Sequence, residues 1–197
     1  MDDVYSAFKV ALHEAYTNKL IGKNILNTNI NIELYDLIGA GAYIVGEETA
    51  MLESIEGKKG FPRFKPPFPA VKGLFGSPTI INNVETLASI PKIISNGPEW
   101  FKSVGTKDSP GFKCFSVSGH VNNPGNFEVP LGTPFKKLLE LAGGVRDGKN
   151  LKAVIPGGSS VPVVPGDIML ETNMDYESIT KVGSLLGSGA IIVMDET

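Results

Sequence analysis

The sequence predicts an α/β chain in two successive parts, and three observations predict it. These are a helical apolar stripe followed by an alternating segment near the start, a glycine-punctuated apolar run that turns into helix formers, and a hairpin, helix and strand order in the second half. At 197 residues, 42% hydrophobic and 20% charged, the chain can bury a substantial core in one domain or two small ones. Val4, Phe8, Ala11, Leu12 and Ala15 recur at helical spacing. Asp2 and Asp3 suit the positive end of that helix and Gly22 suits its stop. Ile30, Ile32 and Leu34 alternate as a short strand. Such a sheet normally has a strand ahead of its first helix, so the sheet is small or sequence precedes it.

Between Ile38 and Leu52, Gly39, Gly41 and Gly46 punctuate an apolar run, and a strand or loop should turn into a helix near Gly46. From Phe61 to Ala70, Pro62, Pro66, Pro67 and Pro69 exclude a regular ladder and favour a stiff surface loop carrying aromatics. Asn82 with Glu85 three residues on resembles a capping box, so a helix should begin there and break or bend near Pro91. The charged turn chemistry of Gly105 to Gly111 marks a boundary, which divides the chain into 1–107 and 108–197.

Beyond the boundary, Phe115, Val117, Gly119 and Val121 alternate, Pro124 and Gly125 supply a turn, and Phe127, Val129 and Leu131 alternate again. Thr133 and Pro134 open a helix whose stripe is Phe135, Leu138, Leu139 and Ala142, and Gly143 with Gly144 closes it. Ala153 to Ile155 and Val161 to Val164 read as short strands, Tyr176 to Leu186 as a last helix and Ala190 to Met194 as a final strand. One helix covering one face of a mixed sheet is the order a small β-grasp domain needs.

The net charge of −3 comes from interspersed charges, with no basic block to track phosphates, so nucleic acid is excluded as a partner. No apolar run approaches the roughly 20 residues of a spanning helix, and Met1-Asp2-Asp3 is acidic where a secretory signal is basic. Any membrane association must therefore come through partner subunits. The single cysteine, Cys114, allows no intrachain disulfide and no multi-cysteine cluster, and its alternating surroundings make it a packing residue. His13 and His120 lie in unrelated patterns without ligand spacing, so no metal site is expected, and no nucleophilic triad appears.

Several residues have two readings. The glycines are a tight turn or a place where backbone N–H groups approach a phosphate. Glu47 and Glu48 complement the helix dipole or accept hydrogens from a bound aromatic cofactor. Asn82 and Asn83 cap a helix or offer amides to a ligand; Phe68 anchors its loop or stacks on a base; Lys65 stays solvated or meets a phosphate.

Taken together, GAGAYIVGEETAMLESIEGKKGFPRFKPPFP and GSPTIINNVETLASIP resemble the flavin-binding segment of the NADH-oxidising flavoprotein subunit of respiratory complex I, an NADH:quinone oxidoreductase. FSVSGHVNNPGNFEVPLGTPFKKLLELAGGV, KAVIPGGSS and MDYESITKVGSLLGSGAIIVMDE are similar to the β-grasp domain of the same protein, ubiquitin-like and of SLBB type. The resemblance implies a partial FMN-binding α/β domain over 1–107 and a β-grasp domain over 108–197. It implies that Tyr43, Gly46, Glu47, Glu48, Asn82, Asn83 and Thr86 contact FMN, and that Glu48, Lys65 and Phe68 face NADH. Hydride passes between two cofactors, so no protein residue is assigned a catalytic role.

The resemblance also implies partners in the peripheral arm, above all the thioredoxin-like 2Fe–2S subunit, on the cytoplasmic or matrix face of the inner membrane. Val45 stands where relatives commonly have cysteine, a tolerable change of small residue. No counterpart of the family's GRGGAGFPTG-type phosphate loop is present, nor of the CxxCxxC segment that holds a 4Fe–4S cluster. The chain is thus expected to be a middle fragment, weakly active or inactive alone. Other readings are a non-catalytic β-grasp docking module and the diaphorase component of an NAD-linked hydrogenase or formate dehydrogenase.

Overall fold

A computed structural model describes residues 2–39 and 42–197, so Gly41 of the glycine segment lies outside the described residues. Contacts divide the chain into two compact units, one ending at Ile81 and one spanning Asn82–Thr197.

The first unit opens with α1 (Asp2–Thr17), and Gly22 beyond it is left-handed at φ 93°. The strand expected at 30–34 does not form; a single bridge joins Gly22 and Ile32. Its backbone is met by a side chain instead of a neighbouring strand, since Leu34 N–H donates to the Tyr16 hydroxyl (3.0 Å), while the Tyr5 hydroxyl donates to Asp36 Oδ2 (2.6 Å). A 3₁₀ turn, Tyr43–Gly46, leads into α2 (Glu48–Ile55). The proline-rich loop then runs without ladder pairing, as its missing donors require. Among the described residues of this unit, the buried apolar side chains are Ala50, Leu52 and Pro69, while Phe8, Tyr35, Phe64 and Phe75 stay exposed.

The second unit begins with α3 (Val84–Asn96) and α4 (Pro98–Lys102). Asn83, not Asn82, is the cap of α3: its Oδ1 accepts the Glu85 N–H at 2.7 Å. Helix α3 continues through Pro91, so the expected break is absent; the helix buries no residue, and water can meet the carbonyl that the proline leaves unpaired. The 105–110 turn docks on the sheet unit, where Ser109 Oγ donates to Glu177 Oε2 at 2.6 Å.

The sheet keeps the predicted order of hairpin, helix and strands, but the strand expected at 161–164 is confined to Val164–Pro165, and Thr133–Pro134, expected to open the helix, is a short strand before it. Strands β1 (Phe112–Gly119) and β2 (Gly125–Pro130) form the antiparallel hairpin, with Phe115 opposite Phe127. The short β3 (Thr133–Pro134) leads into α5 (Phe135–Leu141), and β4 (Leu151–Ile155) precedes β5 (Val164–Pro165). Then come α6 (Gly166–Leu170), β6 (Asn173–Met174), α7 (Tyr176–Lys181) and β7 (Ala190–Asp195). The five-stranded order is β2-β1-β7-β4-β5, with β1 and β7 parallel and the other pairs antiparallel, while β3 and β6 pair separately.

This is a mixed sheet with one covered face. Phe115, Val117, Val154, Ile191 and Val193 meet Phe135, Leu138 and Leu139 of α5 in one buried cluster. Gly119, at φ 86°, brings β1 against β7 so closely that a Cβ there would lie 2.3 Å from the Val193 carbonyl oxygen. Helix α7 ends at Lys181, before the expected Leu186, because the chain turns through Gly183 at φ 81°. Cys114 is exposed and not packed: it shares the open face of β1 with Ser116 and Ser118, while Lys113 points with Phe115 to the covered side.

Candidate functional site

The expected site residues fall in both units, and each group stands by itself. In the first unit, the Tyr43–Gly46 turn delivers Glu47 in extended conformation (φ −65°, ψ 137°) as the cap of α2. Glu47 Oε2 accepts the N–H groups of Thr49 and Ala50, each at 2.9 Å, and the Thr49 hydroxyl at 2.6 Å. Glu47 Oε1 lies 3.3 Å from the Lys65 ammonium, which also donates to Glu48 Oε1. The structure thus brings Glu47, Glu48 and Lys65 together. Glu48 Oε2 has no protein partner among the described residues, so it can accept a hydrogen from a ligand.

Burial raises the Glu47 carboxyl, but the Thr49 hydroxyl, the Ala50 N–H, the Lys65 ammonium and the Thr49 N–H outweigh it and hold the group at about 2. A pKa depressed on folding contributes stability that is complete above the unfolded value of 4.5 and is lost as pH falls through about 2. Amide exchange at Thr49 and Ala50 is therefore expected to be slow and flat above roughly pH 5 and to accelerate, after correction for intrinsic rates, on acidification toward 2. Unchanged protection across that window would remove the cap role.

Arg63 ties the proline-rich loop to α2. Its backbone N–H donates to Thr49 Oγ1 (2.8 Å), and its guanidinium donates to Glu53 (2.5 Å), to Glu56 (2.7 Å) and to the Gly73 carbonyl (2.9 Å). Lys58, Arg63 and the Phe75 N–H hold the Glu56 carboxyl at about 2. The sequence carries no spacing signal for Arg63, because its carboxylate partners lie at the end of a helix seven and ten positions away across a loop. A cavity of about 510 Å³ beside it is lined by Arg63 with Glu53, Glu56, Lys58 and Lys72, and the Arg63 guanidinium in it is engaged by Glu53, Glu56 and the Gly73 carbonyl.

Tyr43, Ile44, Gly46 and Glu47 line another cavity of about 380 Å³. No heavy atom lies within 4 Å of where a Gly46 Cβ would stand, and Tyr43 and Phe68 present exposed rings. In the second unit Asn82, Asn83 and Thr86 are exposed at the start of α3. With its Oδ1 committed to the cap, Asn83 keeps its amide N–H₂ for a ligand.

Carboxylate acceptors, amide donors, a side-chain-free glycine and open aromatic faces match the N–H, carbonyl and hydroxyl edges of a flavin ring and ribityl chain. The phosphate has no dedicated cation in this set, since Lys65 is held by the two glutamates. Among the described residues no group of three or more His, Cys, Asp or Glu could hold a metal ion. No described helix is long and apolar enough to cross a membrane.

The Nuo51 FMN-binding domain family matches residues 2–92 and the SLBB domain family residues 114–164. The chain is 55% identical over 189 residues to the F subunit of the NADH-quinone oxidoreductase of Rickettsia bellii, covering 95% of this chain and 45% of that protein. It is 52% identical over 187 residues to the F subunit of Mycobacterium tuberculosis, covering 95% and 42%. The chain thus spans less than half the length of these curated relatives. A crystal structure of an NAD+-reducing nickel–iron hydrogenase in the H2-reduced state superposes with a TM-score of 0.75 at 38% identity, covering 84% of this chain and 28% of that one. Over the matched span the chain thus carries these two domains in this order and shares more than half its residues with F subunits of NADH-quinone oxidoreductases.

Proposed function

We propose that the chain is part of an NADH-oxidising flavoprotein subunit of an NADH:quinone oxidoreductase. The observation that carries this reading is the 52–56% identity to F subunits over 95% of the chain, which includes both candidate flavin segments. When bound, FMN supplies the capacity to accept a hydride from NADH and release its electrons singly to iron–sulfur centres. The protein's part is placement. The proposed flavin contacts are Tyr43, Gly46, Glu47 and Glu48 in the first unit and Asn82, Asn83 and Thr86 in the second, with Glu48 also facing the nicotinamide. Lys65 and Phe68 take the rest of NADH, Lys65 leaving its glutamates for a phosphate and Phe68 stacking on adenine.

The functional division is proposed at residues 107 and 108, with α3 and α4 serving the flavin segment although they pack in the sheet unit. With a single cysteine this chain ligates no 4Fe–4S cluster, so any such centre is held by other sequence of the intact protein. The proposed partners are other peripheral-arm subunits, first the thioredoxin-like 2Fe–2S subunit, at the inner face of the membrane. The hydrogenase superposition supports a second reading, a diaphorase component of an NAD-linked hydrogenase, but its 38% identity falls short of the 55% shared with the Rickettsia bellii protein.

Titration of the chain into FMN, followed by flavin fluorescence, tests the site. Binding is expected to weaken roughly tenfold in Glu48→Gln, which loses a charged acceptor, and in Asn82→Leu, which loses an amide without touching the cap. Absence of FMN binding by the unaltered chain, or equal affinity in both variants, would overturn the assignment.

A further inference from the structure

The hydrogen bonds of the second unit single out a residue outside the proposed flavin contacts. Glu85 is the second residue of α3, and its carboxylate leaves the helix for the sheet: Oε1 accepts the Cys114 backbone N–H at 2.9 Å and Oε2 lies 3.1 Å from the Lys113 ammonium. Each partner is otherwise unserved by the sheet. Ser116 N–H donates to the Gly189 carbonyl, and β7 pairs with β1 only from Ser116 onward, so the Cys114 N–H, two residues earlier and pointing the same way, lies beyond the end of β7. Without Glu85 its partner would be water in place of a fixed acceptor. Lys113 is 8% exposed, and an ammonium so placed needs a counter-charge.

The same residue fixes the asparagine before it. The Glu85 N–H is the donor that engages Asn83 Oδ1 at 2.7 Å, so the side-chain amide of Asn83 is oriented by a backbone position that the sheet itself holds. One chain of contacts therefore runs from β1 through Glu85 to Asn83, with Asn82 and Thr86 as its immediate neighbours.

We propose that Glu85 is a positioning residue: its clasp on Lys113 and the Cys114 N–H uses the β-grasp sheet as the rigid base that presents Asn82, Asn83 and Thr86 to the flavin. The role toward flavin rests on the function proposed above, whereas the clasp itself does not. The β-grasp unit then acts in cofactor placement besides any part in docking partners.

The full 197-residue chain serves for the test. In Glu85→Ala/Lys113→Met the carboxylate is removed without leaving a buried ammonium unpaired, so the melting temperature of the sheet unit should stay within a few degrees of the unaltered chain. Amide exchange of the peptide covering 82–90 should nevertheless accelerate roughly ten- to thirtyfold while peptides from β2 and α5 stay unchanged. Glu85→Gln, which keeps an acceptor for Cys114, should restore most of that protection when combined with Lys113→Met. Wild-type exchange at 82–90 in the Glu85→Ala double variant, or acceleration spread equally over β2 and α5, would overturn the clasp. Where the unaltered chain binds FMN, the double variant should bind about tenfold more weakly at unchanged melting temperature, and equal affinity would overturn the positioning role. Failure of the unaltered chain to bind FMN would count against the proposed function, and the exchange result would still decide the clasp.

Discussion

Assayed alone with FMN, NADH and ferricyanide, the 197-residue chain is expected to turn over at least about a hundredfold more slowly than a full-length relative. Hydride transfer between two bound cofactors depends on their mutual placement, and a misplacement of about 1 Å is enough for such a loss. The first unit cannot hold that tolerance. Tyr43 is 93% exposed and Phe68 57% exposed, so the rings proposed to flank the ligands have little packing behind them. Ala50, Leu52 and Pro69 are the apolar side chains this unit buries among its described residues, and side chains on so small a core are set by local hydrogen bonds more than by packing. The Arg63 and Glu47 contacts keep α2 and the proline-rich loop together, but they leave the cavity beside Gly46 open. No phosphate-binding glycine loop of the family's type occurs in the sequence, which removes a further fixed point for FMN. Turnover that matches a full-length relative would show that this reading of the site is wrong. Addition of the remaining sequence of a relative in trans should raise the rate, and that gain measures how much placement it supplies.

How far these features were legible in the sequence follows from the range of the forces involved. The β1–β2 hairpin and the stripe of α5 were readable because side-chain alternation, turn residues and helical spacing are local. The parallel pairing of β1 with β7 joins residues more than seventy positions apart, and only the order of elements hinted at it. Helix α6 was missed because five residues between Pro165 and Glu171 are too few to show a period. The segment around Ile32 alternates like a strand yet finds a tyrosine hydroxyl in place of a neighbour, an outcome that alternation alone cannot distinguish.

At the site, Glu47, Glu48, Asn82 and Asn83 were identified with two readings each, and for two of them the structure shows the structural one at work. Glu47 and Asn83 are caps: Glu47 spends its second carboxylate oxygen on Lys65, while Asn83 keeps its amide N–H₂ beside the capping oxygen. Lys65 meeting the glutamates, Arg63 meeting Glu53 and Glu56, and Glu85 meeting Lys113 are ion pairs across loops, and no spacing rule encodes them. Cys114 was read as packed because its neighbours are apolar in alternation; the parity was right for Phe115 and Val117 and therefore placed Cys114 on the opposite face.

That parity supplies the last prediction, a comparison of adjacent residues on one strand. Phe115→Ala is expected to destabilise the sheet unit by about 3–5 kcal/mol, and Cys114→Ala to change it by no more than about 0.5 kcal/mol. Phe115 is fully buried in the cluster that includes Val117, Phe135, Leu138, Ile191 and Val193. Its truncation loses the transfer energy of a ring and leaves a void that β7 and α5, fixed by their own pairing and packing, cannot close. A domain of this size has about 5–15 kcal/mol in all, so the melting temperature should fall by more than about 10 °C in Phe115→Ala. The effect should also reach α3. Glu85 is anchored on Lys113 and the Cys114 backbone, and a β1 that opens more often releases that carboxylate and with it the cap on Asn83. Exchange of the peptide covering 82–90 should therefore rise together with that of β1 in Phe115→Ala and stay at its original rate in Cys114→Ala, whose substitution leaves the backbone N–H in place. If both variants melted alike, the covered face of the sheet would not be the one described, and the base on which α3 rests would have to be sought elsewhere.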